Sequence, residues 1–161
     1  QKNIPALLEA LTHTTRAVHL DIIGEGSEGE LVHAIVQQYG LTNVTLHGRL
    51  ARSEVMKFYE TCDALLLPSL YEAQPLVLLE AMAARIPIIG TDVIGVAEHI
   101  KDVGIIVAPT AKGLAIGIER YYRDYKLLPK MIERGYQQAE KLRWSHTLKK
   151  YEALYEHVSN A

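Results

Sequence analysis

The sequence of 161 residues is long enough for one domain with a sizeable core, and its 48% hydrophobic content and formal net charge of −2 mark an ordinary globular chain. That balance excludes the uniform basic footprint of a nucleic-acid binder, so no nucleic-acid partner is expected. One cysteine, Cys62, excludes an internal disulfide framework; no signal peptide opens the chain and no apolar run approaches membrane-spanning length, so a reducing, cytoplasmic setting is expected.

The chain begins with NIPALLEALTHT, whose Ile4, Leu7, Leu8 and Leu11 recur at helical spacing behind a first-turn proline, Pro5. AVHLDIIG reads as a short strand, and GELVHAIVQQYG as a helix stopped by Gly40. NVTLHG is a strand; SEVMKFYET is a helix with Ser53 as its N-cap. DALLLPS is a buried strand ended by Pro68, PLVLLEAMAAR a helix, IPIIGT a strand, VAEHI a short helix and GIIVAP a strand. From Thr110 the pattern is helical with a break near LLP, and a final helix follows RWS. Five alternations of strand and helix imply a mostly parallel sheet with helices on both faces. Such a sheet binds ligands at the carboxyl ends of its strands, here GEGSEG, HGRLAR, PSLYEAQP, GTDVIG and APT. A doubly wound domain normally opens on a strand, so we expect this sequence to begin just after the first strand of its domain.

Charge is unevenly spread. Between Tyr59 and Thr110 seven acids face two bases, and between Glu119 and Lys150 four acids face nine bases. The basic stretch reads as the solvated face of surface helices, with an acidic partner or anionic lipid as the second reading.

Two short segments carry chemistry. GEGSEG, Gly24 to Gly29, matches the glycine spacing of a dinucleotide loop between a strand and a helix. The next strand ends in LHG without an acid for a ribose, and Glu25, Glu28 and Glu30 crowd the helix start where a pyrophosphate needs positive potential. A nicotinamide dinucleotide is therefore set aside; the segment is a tight turn, or a loop lining a larger cleft. In EAQPLVLLE, Pro75 fits the first helical position with Gln74 as approximate N-cap, which frees the amides of Leu76 and Val77 to meet an anion. Glu80 lies four residues after Leu76, about 6 Å further along the same face, so one ligand could set phosphate at the helix start and hydroxyls against Glu80. The bland alternative, a solvated surface glutamate, sits poorly among Val77, Leu78, Leu79, Ala81, Met82, Ala83 and Ala84. An unliganded Glu80 is expected to find water or backbone donors.

The run LLLPSLYEAQPLVLLEAMAARIPIIGTDVIGVAEHI closely resembles the nucleotide-binding half of retaining glycosyltransferases of the two-Rossmann-domain (GT-B) architecture, the family numbered four (glycosyl transferases group 1), whose hallmark is a pair of glutamates separated by seven residues, here Glu72 and Glu80. DIIGEGSEGEL resembles the family's strand and glycine-rich loop, with Gly24 and Gly26; VTLHGRLARSEVMKFYETCDALLLPS resembles the segment carrying the base-contacting loop; RWSHTLKKYEALY resembles the terminal helix that crosses towards the other domain. The resemblance implies an α/β fold, a Rossmann-like α/β/α sandwich forming one half of a GT-B enzyme. It divides the chain into residues 1–143, binding the nucleotide sugar, and residues 144–161, the crossover helix of the same domain. It implies that Glu80 binds the donor's ribose and that Glu72 lies at the transferred sugar as the catalytic residue. It also implies that the backbone of Ala73, Gln74, Pro75 and Leu76 meets sugar and phosphate, and that Arg49 and Leu50 contact the base. Lys2 matches the lysine of the family's Arg–Lys pair on the diphosphate.

The implied reaction transfers a hexose-type sugar from UDP or GDP with retention, without metal or cofactor, to an acceptor held by an N-terminal domain. Peripheral association with the inner face of a membrane is the second expected setting. Two departures stand out. The family's Gly, aromatic or Met, and Gly or Pro after the first glutamate are Ala73, Gln74 and Pro75, and its Gly-Gly-x-x-Glu is Ile94-Gly95-Val96-Ala97-Glu98. A sugar-nucleotide epimerase of the same architecture is one alternative. A receiver-like binding module is another, disfavoured because LLLPS ends in Pro68 and Ser69 rather than an acceptor Asp. The seven histidines show no paired ligand spacing, so no metal site is expected; Cys62 is expected in the core and Trp144 as a packing anchor for the last helix.

Overall fold

In the structure, a computed structural model that describes residues 1–159, each apolar run expected as a strand is one, and the helices fall between them. The order is α1 (Ile4–His13), β1 (Leu20–Ile23), α2 (Gly29–Gln38), β2 (Val44–Gly48), α3 (Arg52–Thr61), β3 (Leu65–Leu67) and α4 (Leu76–Ala83). Then come β4 (Ile88–Thr91), α5 (Ala97–Ile100), β5 (Gly104–Val107), α6 (Ala111–Arg123), a 3₁₀ turn (Tyr125–Leu127), α7 (Leu128–Lys141) and α8 (Trp144–Ser159). Residues 160 and 161, the end of the expected last helix, lie outside the described residues.

All strand pairs are parallel, as βαβ connections require. They form two sheets rather than the single one expected: β1 pairs with β2, while β4 lies between β3 and β5. No ladder joins β1 to β3 among the described residues, yet α1 ties the halves together. Its Leu7, Leu8 and Leu11 share one core with Leu20 and Ile22 of β1 and with Ile89, Ile105 and Leu114. Alternation along β4 sends Ile89 into that core and Ile88 into a second one, built with Leu78 and Met82 of α4, Ile100 of α5 and Val103. β4 is buried at every position, the signature of a strand covered on both faces. Between Leu11 and Leu67, by contrast, Leu20 alone is buried.

Helix ends obey local chemistry, with shifts of a residue or two from expectation. Gly40 closes α2 at φ +60°, its amide bonded to Gln37 O and that of Leu41 to Val36 O, which satisfies two orphan carbonyls. Ser53 is not the N-cap of α3: the helix begins at Arg52, and Glu54 instead accepts the Ala51 amide at 2.9 Å, half of a capping box. Pro75 occupies the cap position of α4 at ψ 96°, one residue before the helix rather than inside it. Thr110 caps α6 by accepting the Gly113 amide. The helical tail breaks at Asp124–Leu127 and restarts with Pro129 in its first turn. Trp144 is no packing anchor: it is 71% exposed, and α8 buries no residue. Its Trp144, Leu148, Tyr151, Tyr155 and Val158 instead form a stripe with heptad spacing that nothing described covers. No described helix is long and apolar enough to cross a membrane.

Candidate active site

Parallel strands bring their carboxyl ends to one edge of the fold, and the strand ends and loops there hold every polar side chain buried among the described residues: Ser69, Glu72 and Thr91. The three form one hydrogen-bonded chain. Thr91, the last residue of β4, donates its hydroxyl to Ser69 O at 2.5 Å; Ser69, two residues after β3, donates its hydroxyl to Glu72 Oε1 at 2.6 Å. Lys2 Nζ reaches the same Oε1 at 2.6 Å from an exposed side chain. Oε2 has no hydrogen-bond partner among the described residues. Burial acts to raise the Glu72 carboxyl pKa, but the hydrogen bonds from Lys2 and Ser69 outweigh it, so the group lies below its ordinary value and is ionised at neutral pH.

The backbone of Glu72 is fixed as firmly as its side chain. Its amide donates to Ile94 O at 3.1 Å, and its carbonyl lies against Gly95, whose φ is +80° and where a Cβ would fall 1.7 Å from Glu72 O. Glu98 anchors that turn by accepting the Gly95 amide at 2.7 Å. At the start of α1, Asn3 donates its amide to Pro68 O and Pro109 O, and Gln1 O accepts the Leu70 amide, which holds Lys2 over the loop.

After Glu72 the chain enters α4. Leu78 is the first amide to bond within the turn, to Pro75 O; the amides of Ala73, Gln74, Leu76 and Val77 make no bond among the described residues and remain available to an anion. Glu80 follows one turn in, 26% exposed. No backbone donor reaches it among the described residues; two side chains of α3 do: Tyr59 OH donates to Oε2 at 3.2 Å, and Arg52 Nη1 lies 3.4 Å from Oε1.

The glycine loop Gly24–Gly26 adjoins the loop of Arg49 and Leu50: the Gly24 amide donates to Gly48 O, and Glu25 Oε1 accepts the Arg49 amide at 3.3 Å. Arg49 is exposed and Leu50 half-buried. His47 Nε2 lies 2.6 Å from Asp21, and the ring meets Phe58 edge-on at 4.8 Å, which is a structural role. Arg52 on Glu80 links the β2 end to the β3 end. The structure thus brings Lys2 to Glu72 and sets Ala73–Leu76 between the two glutamates. Gly24, Gly26, Arg49 and Leu50 form a separate cluster at the β1–β2 ends. Sequence reasoning missed Ser69, Thr91, Arg52 and Tyr59, and named Gly95 within the Gly-Gly-x-x-Glu resemblance without its contact to Glu72; of the missed residues only Ser69, three residues before Glu72, left a local signal. No group of three or more His, Cys, Asp or Glu is placed to hold a metal among the described residues.

Acid should unfold the chain partly through these carboxyls. Glu119 is held at about 2 by the Thr14 hydroxyl, Arg16 and the Thr15 amide. Glu72 is also depressed. Carboxyls depressed in the folded state bind protons better when unfolded, so their stabilisation is complete above about pH 5 and lost as pH falls through the folded values. The melting temperature is expected to be flat above that pH and to drop towards pH 2, with a shallower drop in Glu119→Gln. An equal slope in the variant would show that Glu119 does not contribute.

A family model described as glycosyl transferases group 1 matches residues 1–138. The chain is 30% identical over 140 residues to the alpha-D-kanosaminyltransferase of Streptomyces kanamyceticus, covering 83% of this chain and 36% of that protein. Among solved structures, the sucrose-phosphate synthase of Thermosynechococcus elongatus superposes with a TM-score of 0.84 at 24% identity, over 99% of this chain and 43% of that one. Anabaena HepE in complex with UDP-glucose superposes with a TM-score of 0.78 at 19% identity, over 97% and 44%. The chain spans less than half the length of the curated relatives it matches.

Proposed function

The chain belongs to the glycosyl transferases group 1 family, and from that premise we propose that it is the donor-binding half of a GT-B glycosyltransferase, holding a UDP- or GDP-linked sugar and transferring the sugar with retention. The observation that carries this reading is the placement of two glutamates, one buried in a lysine- and serine-bonded pocket and one a turn inside α4, on either side of a helix start with free amides. The diphosphate seats on the amides of Leu76 and Val77, with those of Ala73 and Gln74 facing phosphate and sugar. Glu80 accepts the ribose hydroxyls, and Arg49, Leu50, Gly24 and Gly26 line the base end. Lys2 leaves Glu72 for the diphosphate as the donor enters, and Glu72 turns its free Oε2 towards the sugar. In the transfer the anomeric carbon–phosphate oxygen bond breaks. The acceptor oxygen bonds the same face of that carbon, and its proton passes to the departing phosphate. Charge on the leaving nucleoside diphosphate is stabilised by Lys2 and the helix-start amides, and no metal is invoked.

The acceptor belongs to an N-terminal domain of the same protein, which the uncovered stripe of α8 supports. The setting we propose is cytoplasmic, with peripheral contact with the inner face of a membrane. The UDP-glucose complex of the Anabaena protein supports the donor class.

Calorimetric titration of UDP, GDP and ADP into the chain tests the reading. UDP or GDP should bind, and Lys2→Ala should weaken the preferred one by about five- to a hundredfold at low salt, the range of a charge-assisted contact to phosphate. Binding of none of the three, or tightest binding of ADP, would remove the donor assignment. Unchanged affinity in Lys2→Ala would remove Lys2 from it.

A further inference from the structure

Tyr59 and Arg52 are seven residues apart on α3, two turns, and so lie on one face of that helix, the face presented to Glu80. They hold its two oxygens separately, Tyr59 on Oε2 and Arg52 on Oε1, and they hold them differently. Arg52 is 80% exposed and spans 3.4 Å, a solvent-screened pair that a ligand displaces at little cost. The Tyr59 ring is half-buried and packs with Cys62 and Leu65 against the core that includes Leu67, Leu78 and Ile88, so its hydroxyl is delivered from a fixed stem. A phenylalanine would fill that space equally well. The hydroxyl's one described bond is to Glu80, and that bond is what tyrosine adds.

We propose that Tyr59 is a positioning residue for the donor: it fixes the plane of the Glu80 carboxylate so that both oxygens face the ribose hydroxyls, while Arg52 is the exchangeable partner that the ribose displaces. This rests on the reading of Glu80 as the ribose acceptor. A carboxylate oxygen accepts two hydrogen bonds, so Oε2 serves Tyr59 and one hydroxyl together, and Oε1 takes the second hydroxyl once Arg52 leaves. Burial first, and the Glu80 charge second, push the phenol well above its ordinary pKa, which keeps it a donor. Without it the carboxylate is free to rotate towards Arg52, and the ribose must restrain a rotor that is otherwise already set.

The test compares UDP with its 2′,3′-dideoxy analogue by calorimetry on the wild-type chain, Tyr59→Phe, Glu80→Leu and the double variant, with melting temperature as the folding control. Tyr59→Phe should weaken UDP by about three- to tenfold, the size of one ordinary hydrogen bond and less than the loss of the carboxylate itself, and leave the analogue unchanged. In the Glu80→Leu background the same change should have no further effect, because the group it positions is gone. Equal losses for UDP and the analogue would make Tyr59 a packing residue and overturn the inference, as would no loss for either. If Glu80→Leu abolishes the preference for UDP over the analogue but Tyr59→Phe keeps it, the ribose reading stands and only the role of Tyr59 falls. If Glu80→Leu keeps that preference, the ribose reading itself falls, and this inference with it.

Discussion

Glu80→Leu is expected to weaken UDP binding by about ten- to a hundredfold while the chain stays folded, because the carboxylate's hold on the ribose contributes a net of about 1.5–3 kcal/mol and leucine offers no acceptor. Stability should hold for a reason visible in α4. The position is half-buried among Leu76, Val77, Leu79 and Ala83, so leucine suits its neighbours and the helix alike. What the substitution strands is a half-buried tyrosine hydroxyl and an exposed arginine, neither of them an unpaired buried charge. Calorimetry and a thermal melt on the same sample decide the matter. A lower melting temperature with unchanged affinity in the folded fraction would make Glu80 a structural residue.

A larger effect on the fold is expected from Gly95→Ala. The residue sits at φ +80°, a conformation strained for any L side chain, and the new Cβ would fall 1.7 Å from the carbonyl oxygen of Glu72. The neighbour is backbone and cannot swing aside, so the turn 93–96 or the peptide after Glu72 must move. Strain and overpacking together should cost about 2–5 kcal/mol, read as a lower midpoint in urea. Gly40→Ala supplies the control: its φ is +60°, but nothing lies within 4 Å of the added carbon, so only the backbone penalty of about 1 kcal/mol applies. Equal losses in the two variants would show that contact with Glu72 contributes nothing. Because the displaced peptide is Glu72's own, nucleotide affinity should also fall in Gly95→Ala.

The sequence makes some features legible and hides others for physical reasons. Strands such as IPIIGT and GIIVAP are readable because burial on both faces of a parallel sheet demands uninterrupted Ile and Val. The pair Glu72 and Glu80 is readable because a carboxylate among Leu, Val and Ala needs a reason to be there. The helix starts slip by a residue or two because a cap depends on where the chain turns: Pro75 lies just outside α4, and Glu54, not Ser53, serves the start of α3. The contacts of Thr91, Gly95 and Tyr59 stay hidden because they run 22, 23 and 21 residues along the chain, with no local period to betray them. Trp144 misleads because an aromatic on an amphipathic helix names a face to be covered without naming what covers it.

The thin packing of β1 and β2 has a kinetic meaning. With Leu20 the single buried residue between Leu11 and Leu67, the layer of α2 and α3 has little apolar area to lose on opening, whereas β4 is enclosed throughout. Amide protons of β1 and β2 therefore exchange with solvent through excursions that leave β4 protected, and the chain opens in two cooperative units of unequal free energy. Arg52, exposed at the start of α3, belongs to the looser unit, while Tyr59 packs against the β4 core and Glu80 lies in the tighter one. A nucleotide that touches both makes the opening of the loose unit pay the free energy of ligand release, so occupancy of the cleft slows exchange as far away as α2.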